Sequence, residues 1–119
     1  MSRAVRTAYG IAFLGAYVAV LVASLLPTSA LPEVRLSDKI EHFVAYAVLA
    51  VLGGKAFPAR PWLLATALAA NGVGVEFLQH AMALGRQGDV LDALANTLGI
   101  AAGLGAVGLM RRRERGGAG

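Results

Sequence analysis

The chain has 119 residues, of which 57% are apolar and 15% charged, against the roughly 25% charged residues of a typical water-soluble domain. That balance excludes an ordinary soluble fold, the absence of cysteine excludes a disulfide framework and thiolate-bound metal, and the length suits one domain of about four membrane-crossing helices. The net charge of +4 would suit nucleic acid, but its placement along the chain fits membrane orientation instead.

Tyr9 to Leu26 carries no charge, follows Arg3 and Arg6 and stops before Pro27, so it is long enough to cross a hydrocarbon core of about 30 Å. The alternative is a secretory signal peptide cleaved near Thr28-Ser29-Ala30, but the run exceeds the usual ~7 to 15 apolar residues. A second span starts at the capping pair Ser37 and Asp38. It ends at Gly53-Gly54, where two glycines precede Lys55, Pro58 and Pro61. The third opens with Pro61 at the first helical position and runs through Trp62 to about Leu84; the fourth runs from Asp89 to Met110. Gly85 to Gly88 forms a tight hairpin between them, and residues 116–119 read as a disordered tail after a single domain over 1–115.

Four spans put both termini on one side, and cytoplasmic loops carry an excess of Lys and Arg. Arg3, Arg6, Lys55, Arg60, Arg111, Arg112, Arg113 and Arg115, eight of the eleven bases, fall on the terminal side, whereas Arg35, Lys39 and Arg86 fall opposite. The expectation is an all-α integral membrane protein with four transmembrane helices in two hairpins, N-in and C-in. The basic tail then anchors to anionic lipid and needs no nucleic acid.

An isolated ionisable residue at the centre of a membrane helix costs at least ~2.5 to 3.5 kcal/mol, so those present need partners or a water-filled cavity. At 100° per residue, Asp38, Glu41, His42 and Tyr46 cover about 140° of the second helix. Gly72, Glu76, Gln79 and His80 fall within about 100° of the third, and Asp89, Asp92, Asn96, Gly99 and Gly103 within about 80° of the fourth. At a rise of about 1.5 Å per residue, Tyr46, Glu76 and Asn96 all lie some 10 to 12 Å below the same membrane face. The three stripes can therefore meet in the outer third of the bilayer, with Lys39 and Arg86 above them and the apolar first span packed behind.

These residues also carry a family resemblance. Asp38-Lys39-Ile40-Glu41-His42-Phe43 followed by Tyr46, then Glu76 and Gln79 as E-x-x-Q, then Arg86, Asp89, Asp92, Asn96 and Gly99 in order resemble the VanZ-like family of small integral membrane proteins. The resemblance covers nearly the whole chain; His80 lies outside it. It implies a bacterial plasma-membrane protein of the cell envelope, related to a protein associated with low-level resistance to the lipoglycopeptide teicoplanin.

Each feature has a plain structural explanation to set against chemistry. Asp38 and Asp89 fit helix capping, Asp38 with Glu41 as a capping box. Gly99 and Gly103 below Asn96 fit close helix packing, as do Gly72 and Gly74. His42, Glu76, Asp92 and Arg86 could form an ion-paired knot fixing three helices. The cluster nevertheless exceeds what a knot needs, and it includes a histidine able to change charge near neutral pH.

Three chemical readings follow. The first is recognition of an anionic envelope lipid or lipid-linked cell-wall precursor through Asp38, Lys39, His42, Tyr46, Glu76, Gln79, Arg86, Asp89, Asp92 and Asn96. Six acids and three bases on the outer side leave net −3 there, a charge that opposes it unless a divalent cation bridges. The second is membrane-embedded acid/base catalysis, with His42, Glu76 and Asp92 as the candidate catalytic groups; the convergent faces lack Ser, Thr or Cys apart from Ser37, which argues against a serine- or cysteine-type hydrolase. A metal on Glu76 and His80 with His42 or Asp92 is the weakest of the three, so the expectation is no metal and no cofactor. Outside chemistry stands a structural or partner-binding small membrane subunit.

Overall fold

The structure is a computed structural model that describes residues 1–25, 36–81 and 90–117. Four helices follow in chain order: α1 (Arg3–Leu25), α2 (Leu36–Ala56), α3 (Pro61–Ala81) and α4 (Val90–Gly117). Ser2 starts α1, its hydroxyl accepting from the Val5 amide at 3.1 Å and its carbonyl from Arg6 at 3.0 Å. Arg60 plays the same backbone role for α3, its carbonyl accepting from Leu64 at 3.2 Å, with Pro61 in the first helical position.

Three helices, α1, α3 and α4, are long and apolar enough to cross a membrane. The fourth, α2, is 21 residues long but carries Asp38, Lys39, Glu41 and Lys55. It lies at the centre of the bundle, packed most extensively on α4, then on α1, and on α3. Leu49 and Ala50 on α2 are fully enclosed, and Tyr46, Leu64, Leu68 and Ile100 complete the core.

The polarity of the bundle is inverted. Gln79, Asp92 and Asn96 are buried, whereas apolar stripes face outward: Ile11, Leu14, Val18 and Val22 on α1, Ile40, Val44 and Val48 on α2, Phe77 on α3, and Leu91, Leu94 and Leu98 on α4. Water-soluble domains do not present apolar faces on every helix, while hydrocarbon solvent favours them. Thr66 and Thr97 on these faces return their hydroxyls to the carbonyls four residues back, at 2.8 and 2.9 Å.

The structure departs from the sequence reading at three places, two of them helix ends. Gly53-Gly54 does not terminate α2, which runs on to Ala56; the two glycines lie against neighbouring side chains instead. A Cβ at Gly53 would lie 2.9 Å from both Leu64 Cδ atoms, and one at Gly54 3.2 Å from Val107 Cγ2. Nor does α4 stop at Met110: it continues through the arginines and takes in Gly116 and Gly117, where a disordered end is expected. Arg111 accounts for part of the extension, donating to the Gly54 carbonyl at 2.7 Å and the Pro58 carbonyl at 3.3 Å and so satisfying the end of α2. Finally, Gly74 has nothing within 4 Å of its Cβ position, so packing among the described residues does not explain it. Pro27, Thr28-Ser29-Ala30 and the Gly85–Gly88 turn lie outside the described residues.

Candidate functional site

The close approach of α2 and α4 sets the site. A Cβ on Gly99 would overlap the Phe43 carbonyl, and one on Gly103 would fall 2.5 Å from the Ala47 carbonyl and 2.6 Å from Ala50 Cβ. With the two backbones this close, side chains one and two turns before Gly99 on α4 reach directly across to α2. Lys39 Nζ donates to Asp92 Oδ1 at 2.7 Å. His42 Nδ1 lies 2.9 Å from Asn96 Oδ1, and because an amide oxygen can only accept, this contact puts the proton on Nδ1. The other ring nitrogen, Nε2, faces Asp92 Oδ2, 3.8 Å away.

Helix α3 closes the third side. His42, Glu76 and Asp92 each bring one donor atom into a group whose members all lie within 4.8 Å of one another. The Glu76 Oε1 atom is buried. Gly72, one turn before Glu76, makes room for the Asn96 amide, since a Cβ there would stand 3.0 Å from Nδ2. The apolar surroundings of these groups strengthen every electrostatic contact among them.

A second layer joins α1. Tyr17 donates its hydroxyl to Asn71 Oδ1 at 2.7 Å, and Asn71 Nδ2 donates to the Tyr46 hydroxyl at 3.2 Å. Gln79 Nε2 donates to the Ser24 carbonyl at 2.7 Å. A cleft of about 120 Å³ runs between α1 and α2, lined by Val20, Ala23 and Ser24 on one side and Glu41, His42, Ala45 and Tyr46 on the other. It gives lateral access to the histidine from the surface of the bundle.

Of the sequence candidates, Lys39, His42, Glu76, Asp92 and Asn96 converge, Tyr46 and Gln79 join the adjoining layer, and Gly99 and Gly103 lie at the α2–α4 crossing. Arg86 and Asp89 lie outside the described residues, and the side chains of Asp38 and His80 are likewise not described. Sequence reasoning missed two contributors. Asn71 falls off the polar stripe of α3, and α1 enters through Tyr17 and the Ser24 carbonyl although its span looks purely apolar. A lone asparagine in an apolar run was the available signal, because its amide needs partners inside a membrane. The backbone carbonyl gave none.

No family model, curated protein or solved structure matches the chain.

Proposed function

We propose that this chain is a multi-pass protein of the bacterial inner membrane, of VanZ-like type, with four spanning helices and both termini in the cytoplasm. Its site binds the anionic headgroup of an envelope lipid or lipid-linked cell-wall precursor, and through that binding it influences teicoplanin susceptibility. The observation that carries the reading is a polar cluster buried between apolar helices and reached laterally through the α1–α2 cleft. A lipid can present its headgroup there without leaving the membrane. Lys39, 39% exposed while holding Asp92, supplies positive charge together with Arg86, and the Tyr46 hydroxyl and His42 supply hydrogen bonds. Central α2 is shielded by three neighbours, which supports its crossing the membrane despite its four charged residues.

The test is capture of a purified undecaprenyl-pyrophosphate-linked precursor by the detergent-solubilised protein, followed by mass spectrometry. Wild type retains the lipid, and Arg86→Ala and Lys39→Ala each lower retention at least tenfold. Equal retention by all three proteins refutes headgroup recognition.

A further inference from the structure

His42, Glu76 and Asp92 come from three different helices and converge with one nitrogen and two carboxylate oxygens. We propose that this triad binds a divalent transition-metal ion of the Zn²⁺ class. The inference does not rest on the lipid reading, because it concerns only what these three side chains can hold.

Geometry is the first support. Tetrahedral ligands about 2.1 Å from an ion stand about 3.4 Å apart. The His42 Nε2 to Asp92 Oδ2 separation of 3.8 Å is within a few tenths of that, and 4.8 Å bounds all the pairs.

The second support is independent of the first and concerns orientation. Metal-binding histidines almost always donate their remote N–H to a carbonyl or carboxylate, which fixes the tautomer and aims the lone pair. Here Asn96 Oδ1 accepts from His42 Nδ1–H at 2.9 Å, and Nε2 faces Asp92 Oδ2. Asp92 is oriented in the same manner: Lys39 engages Oδ1, leaving Oδ2 on the side of the imidazole. Two of the three donors are thus already held in ligating orientation by neighbours that are not themselves ligands.

The donor set selects among cations. One imidazole with two carboxylates suits Zn²⁺, Co²⁺ or Fe²⁺ better than Ca²⁺, which takes six to eight oxygens. Three protein ligands leave one position of a tetrahedral ion open, and the α1–α2 cleft reaches the triad on its His42 side.

Cobalt(II) reports the site directly. The full chain, purified in detergent without a polyhistidine tag and stripped with chelator, is titrated with Co²⁺ and followed by its visible absorption. We expect saturation at one equivalent with the intense bands of a four-coordinate ion, and bleaching by one equivalent of Zn²⁺. His42→Ala and the near-isosteric Glu76→Gln each weaken binding at least tenfold, while Glu41→Gln, in the same cleft but outside the triad, leaves it within twofold. Circular dichroism confirms that each variant keeps wild-type helicity before it is scored. A featureless titration of wild type, or His42→Ala and Glu76→Gln binding as wild type does, overturns the proposal.

Discussion

The crossing of α2 and α4 provides the sharpest test of the packing argument, because Gly99 and Gly103 on α4 meet backbone while Gly105 and Gly108 meet nothing within 4 Å. Replacing Gly103 by alanine puts Cβ 2.5 Å from the Ala47 carbonyl and 2.6 Å from Ala50 Cβ. Ordinary C···O contact begins at about 3.3 Å, so the helices must part by about 1 Å. Overpacking of this kind costs about 1 to 3 kcal/mol. A shift of that size also stretches the 2.9 Å His42–Asn96 contact past hydrogen-bond range, adding about 1 kcal/mol. The sum is about 2 to 4 kcal/mol. At about 4 °C per kcal/mol for a chain of this size, thermal melting of the detergent-solubilised protein falls by about 8 to 16 °C. Gly99→Ala, which meets the Phe43 carbonyl, behaves alike. Gly105→Ala and Gly108→Ala, with nothing within 4 Å, gain helix propensity and melt up to about 4 °C higher. If all four variants melt within a degree of one another, close approach of α2 and α4 does not hold the bundle and the reasoning fails.

Three further outcomes follow from the same contacts. Asp92→Asn removes the acceptor charge facing Lys39 and His42; the loss is about 1 to 2 kcal/mol in a chemical or thermal melt, below the 3 to 5 kcal/mol of a fully buried pair because Lys39 is 39% exposed. An unchanged melt would mean that the pair adds no stability. Tyr17→Phe deletes the 2.7 Å bond to Asn71 that ties α1 to α3 and costs about 1 kcal/mol; the double variant with Asn71→Ala should then lose less than the sum of the two single changes, and strict additivity would show that the two side chains do not interact. Arg111→Ala leaves the Gly54 and Pro58 carbonyls without their guanidinium donor, so amide hydrogen exchange at Ala56 and Phe57 speeds up severalfold, whereas wild-type protection there would refute the capping role.

The cluster was legible before the fold because polarity is conspicuous in an apolar chain. Asp92 and Asn96 stand four residues apart, one helical turn, and His42 and Tyr46 repeat the interval on another helix, so each pair had to share a face. Equal depth followed from the rise per residue, and His42, Glu76 and Asp92 do converge. The readings that failed were those in which one residue type serves two purposes. Gly53-Gly54 has the composition of a helix stop and the function of a contact surface, and only the position of Leu64 and Val107 separates them. Nor does composition reveal that Arg111, read with its neighbours as a lipid anchor, also caps a different helix.

Sequence by itself determined the helical class, the apolar faces and the face of each of α2, α3 and α4 that carries polar groups, since period and composition are local properties of the chain. Tertiary structure decided that the most polar helix lies at the centre, that α1 contributes Tyr17 and a backbone carbonyl, and that Lys39 and His42 rather than more distant groups meet Asp92. The physical reason is that helical periodicity gives the direction of a face but not its partner. Partner and register come from how closely two backbones can approach, and here that is set where Gly99 and Gly103 let α4 rest directly on α2.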